Sequence, residues 1–259
     1  MLKVAIISLF LLTGAASAIP FAQAWNFRNE RVFGKVKKAV TVVGSELQKH
    51  VEYYNEKGQK TKIEDYFGKG DKLRRKYTME YNKNGDLFKV SYFEGEAKSP
   101  AIIVKAEYKS KGVIKYLIYK GMDGKEEVSV KTEPFEYDEK KRLKSIKMKA
   151  EGEFNYKFDD KGNCTEYIND VGDIRFETKY GKYYNGVAQI MESYSRGKMS
   201  TSTVWKNKFD KAGNWIERIG EKTDYYWDSK DKDKKPETTK RTVKLKRTIT
   251  YYPEKKKLD

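Results

Sequence analysis

A five-residue corner recurs along this chain, and it restricts the fold more than any other feature. An aromatic residue is followed by Asn or Asp, two variable residues and Gly. Full copies are Tyr54-Asn55-Glu56-Lys57-Gly58, Tyr81-Asn82-Lys83-Asn84-Gly85, Phe158-Asp159-Asp160-Lys161-Gly162 and Phe209-Asp210-Lys211-Ala212-Gly213. Tyr108-Lys109-Ser110-Lys111-Gly112 lacks the Asn, Tyr137-Asp138-Glu139-Lys140-Lys141 lacks the Gly, and Tyr183-Tyr184-Asn185-Gly186 is a degenerate form. The leading aromatics of the six longer copies lie 27, 27, 29, 21 and 51 residues apart, and the degenerate form divides the last interval. Asn and Asp start a turn by bonding their own backbone two residues on, and Gly accepts the positive φ that closes it. A four-residue connection ending in Gly is a common hairpin loop.

The flanks of these corners alternate. Phe154, Tyr156 and Phe158 precede one corner, and Tyr77, Met79 and Tyr81 precede another. Phe88, Val90 and Tyr92, then Ile114, Tyr116 and Ile118, follow two more. This is the period of a strand, and no stretch of comparable length repeats every 3.6 residues. Each unit therefore reads as two strands, a tight turn and a looser return. One hairpin is marginal in water, so units must pair edge to edge into a continuous aromatic-lined layer. The predicted fold is all-β: a long antiparallel meander of roughly 12–16 strands, too wide to stay flat, curled into an open sheet, half-barrel or shell with Tyr and Phe rows inside. Residues 25–252 form a single β-repeat domain. Val32–Val43 supplies an opening strand that could cap the sheet, and residues 228–240 form a polar loop before a last strand from Thr242 to Tyr252. Residues 253–259 are expected to be a disordered tail.

Composition agrees with a thin sheet. Charged residues make up 36% of the chain, above the roughly 25% of an average globular protein, while 14% are aromatic, too many for a disordered chain. The first 18 residues have the form of a secretory signal peptide: Lys3, an apolar run from Val4 to Leu12 broken only by Ser8, then Ala16-Ser17-Ala18. Cleavage after Ala24 is the alternative. The run is about half of what a spanning helix needs, and no later stretch is long and apolar enough. The protein is expected to be secreted or periplasmic/extracellular, with no transmembrane segment in the mature chain. No cysteine lies near either cut, which excludes a lipoprotein of the usual kind. Cys164 is the single cysteine, so no intramolecular disulfide forms. The net charge of +17 attracts polyanions in general, but the lysines are mixed with acids along the whole chain, as on a solvated sheet face. That mixing, together with export, argues against a nucleic-acid partner.

Little in the chain points to catalysis. The one histidine, His50, is read as a surface residue at a strand start. Cys164 occupies the position of Trp215, Leu87 and Ile114 in other units and is read as a small core residue. No metal-ligand cluster, phosphate loop or dinucleotide fingerprint occurs, so catalytic, cofactor-binding and metal sites are all assigned as none. The aromatics that crowd the C-terminal third, Trp205, Trp215, Tyr225 and Trp227, are the candidate ligand-binding residues, because exposed aromatics stack on sugar rings. The expected function is an exported interaction module for a glycan, an acidic envelope polymer or a protein partner. The alternative is a carbohydrate-active enzyme using a carboxylate pair.

The corner units, above all Phe158-Asp159-Asp160-Lys161-Gly162-Asn163 and Phe209-Asp210-Lys211-Ala212-Gly213-Asn214-Trp215, resemble the YD (Rhs-type) repeats of bacterial exported proteins. The opening Phe33-Gly34-Lys35-Val36-Lys37-Lys38-Ala39-Val40-Thr41 is similar to the start of exported repeat proteins of Bacteroidetes. The resemblance covers about residues 33–252. It implies a β-sheet shell at the cell surface or outside the cell, with carbohydrate or partner binding in some members, and it offers no catalytic residues.

Overall fold

The computed structural model describes residues 33–253 apart from 44–47, 69–70, 111–112, 124–125, 133–134, 141–142, 149–151, 162, 172–173, 186 and 229–234. The predicted leader and the tail from residue 254 lie outside these. Every described element is a strand: β1 (Val36–Val43), β2 (Gln48–Tyr54), β3 (Lys60–Phe67), β4 (Lys72–Tyr81), β5 (Leu87–Glu94), β6 (Ile102–Ser110), β7 (Val113–Asp123), β8 (Glu126–Thr132), β9 (Phe135–Tyr137), β10 (Leu143–Met148), β11 (Gly152–Phe158), β12 (Cys164–Val171), β13 (Ile174–Tyr184), β14 (Val187–Ser195), β15 (Lys198–Phe209), β16 (Trp215–Tyr226) and β17 (Glu237–Tyr251). They form one 17-stranded antiparallel sheet. The meander predicted from the corners is present, with one strand more than the upper end of the expected range. The last strand also begins at Glu237 rather than Thr242. Residues 237–240, part of the predicted polar loop, pair together with Arg241 against Lys222–Tyr226 of β16.

The corners do what their residues dictate. Asn55 Oδ1 accepts the backbone N–H of Lys57 and Gln59, each at 3.0 Å. Asn82 takes those of Asn84 and Asp86 in the same way, and Asp210 those of Ala212 and Asn214. Gly58, Gly85 and Gly213 close these turns at φ of 77°, 85° and 92°. The ladder slips by one residue just before each corner, so the leading aromatic faces the residue six positions on: Tyr54 with Lys60, Tyr81 with Leu87, Phe158 with Cys164, Phe209 with Trp215. This is a bulge, which sharpens twist and bends the sheet.

The leading tyrosines also tie each unit to the one before. The Tyr81 hydroxyl donates to the carbonyl of Lys60 at 2.8 Å and that of Tyr108 to the carbonyl of Leu87 at 2.6 Å. The Tyr183 hydroxyl donates to the Cys164 carbonyl, and the Tyr137 oxygen accepts the N–H of Ile114 at 2.6 Å. Each bond lands on the residue six positions after the previous leading aromatic. A phenol there covers the core with its ring and satisfies a backbone group freed by the bulge with its oxygen.

Cross-strand partners share a face. One face carries Ile63, Tyr77, Met79, Val90 and Val104, which pack in one cluster with Tyr156 and Cys164 of β11 and β12. Strands β7 to β10 separate these two groups along the sheet, so the contact crosses the interior and marks this face as the inner one. Cys164 is a core residue here, as expected. The outer face carries Lys62, Glu64 and Lys76 on one side and Lys206, Lys208, Glu217, Lys244 and Lys246 on the other. No described helix is long and apolar enough to cross a membrane.

The curl goes further than a half-barrel. β1 pairs with β2 through Lys38–Val43 and with β17 through Val36–Val43, so it joins the two ends of the meander. The ring stays unsealed at one seam: β8 pairs with β7 and β9 with β10, and among the described residues no ladder joins the other edge of β8. Asn214 fastens the closure from the last corner. Buried at 2% exposure, it accepts the Phe33 N–H at 2.7 Å and donates to the Phe33 carbonyl and the Tyr251 hydroxyl, each at 2.8 Å.

Candidate functional site

The inner wall formed by β14 to β17 and β1 differs from the aromatic core on the other side. Alternation turns Met191, Thr203, Trp205, Lys222, Arg241, Val243 and Val43 inward along a set of long strands. Trp205 faces Gly220 across the ladder. A methyl on Gly220 would stand 2.7 Å from two atoms of the indole, so glycine is what lets this ring lie flat on the backbone. The Arg218 guanidinium sits 4.5 Å from the ring centroid of Trp205. It is fixed by bonds to Asn207 Oδ1 at 3.0 Å and the Ala188 carbonyl at 2.9 Å.

Below this level lies a buried ionic cluster. Glu52 accepts Lys60 Nζ at 2.5 Å, Arg247 at 2.6 Å and the Tyr54 hydroxyl at 3.0 Å. His50 lies beside it, its Nδ1 2.6 Å from Asp65 and its Nε2 3.6 Å from Glu52. Burial alone would push the Glu52 carboxyl up, but Lys60, His50 and Arg247 together hold it well below the usual carboxylate range. Burial likewise opposes charging of His50, and Asp65 and Glu52 outweigh it, raising the imidazole to about 9. His50 keeps a side chain 40% exposed, but it is not isolated: its partners come from its own strand and from β3. The Arg247 guanidinium and that of Arg218 flank Trp215 at 4.9 and 5.6 Å.

Above this cluster, β17 runs on past the end of β1. The β1 ladder stops at Val43 opposite Leu245, and among the described residues, 237–244 of β17 pair on one edge only, with β16. At this step in the rim a cavity of about 810 Å³ opens, lined by Val42, Val43, Met191, Thr203, Trp205, Lys222, Arg241, Val243, Lys244 and Lys246 together with Thr242. Its lower part is apolar and its margin basic. Asp224 offsets part of the charge, 2.8 Å from Lys222 and 3.3 Å from Arg241. The Thr203 hydroxyl, on a residue 1% exposed, has no hydrogen-bond partner.

The four aromatics singled out from the sequence do not come together. Trp205 lines the cavity. Trp215 is 4% exposed and belongs to the core between two arginines, out of reach of a ligand outside. Tyr225 is half-buried near the end of β16. Trp227, just beyond that strand, is exposed but pinned, its indole N–H donating to the Met199 carbonyl at 2.6 Å with Lys198 over its ring. Thr203, Lys222 and Arg241 were not anticipated. In the sequence Lys222 and Arg241 are two among many interleaved cations, and only their register, opposite each other and in line with Thr203, shows that they face inward.

No family model matches the chain, and no curated protein is similar to it in sequence. Among solved structures, a porin-like protein of Bacteroides uniformis aligns over 84% of this chain and 96% of its own, with 13% identity and a TM-score of 0.45. Two structures of the TcdB2-TccC3 assembly align over 71% and 73% of this chain but only 13% of theirs, with 7% identity and TM-scores of 0.27 and 0.26.

Proposed function

We propose that this is an exported, non-enzymatic binding protein whose ligand is acidic. The observation that carries the reading is the cavity at the rim, where the inward-facing Lys222 and Arg241 stand over an apolar recess that holds Trp205. Cations gathered at a concave, partly apolar site favour an anion more than the same charges spread over a convex face, because a low-dielectric wall focuses their field. The leader-like first 18 residues and the charged outer wall support a place in the periplasm or outside the cell. A glycoside hydrolase needs an acid whose pKa is raised. The carboxylate beside the cavity, Asp224, is ion-paired with Lys222 and Arg241, and Glu52 in the cluster below is ion-paired and held low, which favours binding over hydrolysis.

Binding of acidic glycans and acidic envelope polymers, measured at low and at physiological salt, tests the reading. Affinity should fall as salt rises through screening of the rim charges, and neutral glycans of the same length should bind more weakly. Equal affinity for neutral and acidic ligands at both salt concentrations would refute it.

A further inference from the structure

We infer that the rim cavity takes an anionic amphiphile, meaning an aliphatic body that ends in a carboxylate or phosphate. The inference rests on the acidic-ligand reading and narrows it. Three features of the cavity select this chemistry over an acidic sugar. Its lower walls are Val43, Met191, Val243 and the flat face of Trp205, with Val42 at the edge. These side chains offer a sugar ring one stacking surface but few groups to pair its hydroxyls, whereas they suit the apolar surface of a hydrocarbon chain. Its cations sit on one side, with Lys222 and Arg241 facing each other across the β16–β17 ladder, so they serve one head group rather than a row of charges. Between the two regions stands the Thr203 hydroxyl, buried and unpaired. A buried hydroxyl without a partner is unfavourable, and a carboxylate or phosphate oxygen reaching down from Lys222 and Arg241 would satisfy it. The volume of about 810 Å³ is within the roughly 300–1,000 Å³ usual for small-molecule sites.

Asp224 sets the order of events. It holds both Lys222 and Arg241, so an incoming anion shares these cations with Asp224 or displaces it. A head group bearing more negative charge competes better, and a phosphate should bind more tightly than a carboxylate on the same chain.

The test is a titration of the full mature protein with laurate held below its micelle point. It is read by calorimetry and by tryptophan fluorescence, with Trp205→Phe identifying the signal of that ring. Dodecyl phosphate, dodecyl maltoside, oligogalacturonate and phosphatidylglycerol vesicles are run beside it. Laurate and dodecyl phosphate should saturate one site, and dodecyl maltoside should not. Lys222→Met and Arg241→Met should each weaken laurate by about tenfold or more, as expected for one lost charge-assisted bond. Thr203→Val should weaken binding while leaving the urea midpoint unchanged or higher, because it removes an unpaired hydroxyl. A hydroxyl with a purely structural role would leave binding unchanged. Vesicle binding with the same dependence on Arg241 would mark a bilayer lipid as the source of the head group; laurate binding without vesicle binding would mark a free amphiphile. Maltoside binding equal to laurate, or unchanged laurate affinity in all three variants, overturns the inference. If oligogalacturonate fills the site with this residue dependence and laurate does not, the amphiphile is wrong and the acidic-ligand reading stands. If no anion binds at either salt concentration, both fall.

Discussion

Glu52 is the residue on which the interior chemistry turns. It meets Lys60, Arg247, Tyr54 and His50, with the Trp215 ring against the Arg247 guanidinium. Removing one partner of a buried ion pair leaves the remaining charge poorly compensated, and the loss is about 3–5 kcal/mol. Glu52→Gln should therefore lower the unfolding free energy by about 3 kcal/mol, measured by urea titration at neutral pH; a change within a few tenths would show that the cluster is not a structural anchor. The same cluster makes stability depend on pH from both sides. Glu52 is held below its ordinary value, so its contribution is complete above about pH 4.5 and is lost as acid protonates it. His50 is raised from 6.5 to about 9, so its contribution is complete below pH 6.5 and is lost as pH climbs through 9. Stability should peak between these limits and decline from pH 6.5 to 9. His50→Gln should flatten the decline while leaving the acid limb in place, as read from thermal midpoints across pH. An unaltered alkaline slope in that variant would mean that other groups carry it.

At the scale of the element, the corner is a device with separable parts. Gly58 and Gly213 adopt the same left-handed backbone, but a methyl on Gly58 meets nothing within 4 Å, whereas one on Gly213 comes 3.4 Å from Asn185 and 3.6 Å from Phe33. Gly58→Ala should then show backbone strain alone, about 1–2 kcal/mol, and Gly213→Ala should exceed it by the crowding of the closure point. Equal losses in denaturant titrations would mean that the Phe33 contact has no weight. These corners were legible from the sequence because their chemistry is local: Asn55 acts on Lys57 and Gln59, and Gly58 sits three residues on. The hairpins, the strand period and the inward rows of Tyr77, Tyr92 and Tyr156 could all be read from the same signal. What could not be read depends on register between distant strands. Nothing near Asn214 says that it will grip Phe33, 181 residues away, and nothing near Lys222 says that it will point into a cavity. The polar run at residues 237–240 looked like loop because strand propensity is judged by apolar alternation, and there the backbone of β16 supplies the pairing instead.

The whole molecule hangs on one short strand. β1 is the only described strand that pairs with both the first and the last hairpin units, and without it the meander ends in two free edges, β2 and the lower half of β17. Closure removes edges that would otherwise template association, and here it also brings Val36 and Ala39 onto Tyr54 and Ile249. The upper part of β17, which the described residues of β1 do not reach, is defended differently: Lys240, Arg241 and Lys244 keep it charged, and Arg241 among them faces the cavity. The seam beside β8 means that the ring is held by ladder bonds on one side only, so loss of β1 should open it rather than merely loosen it. A chain that begins after Val43 should therefore lose its sharp thermal transition and form oligomers in light scattering, while a peptide spanning residues 33–43, added in trans, should restore monomers and most of the transition by pairing with both exposed edges. Glycine at the Asn214 position in the truncated chain should abolish rescue, because the peptide would lose its anchor at Phe33. A truncated chain that stays monomeric, with the thermal midpoint of the full protein, would show that the meander holds its curl through the bulged corners alone and that β1 merely decorates it.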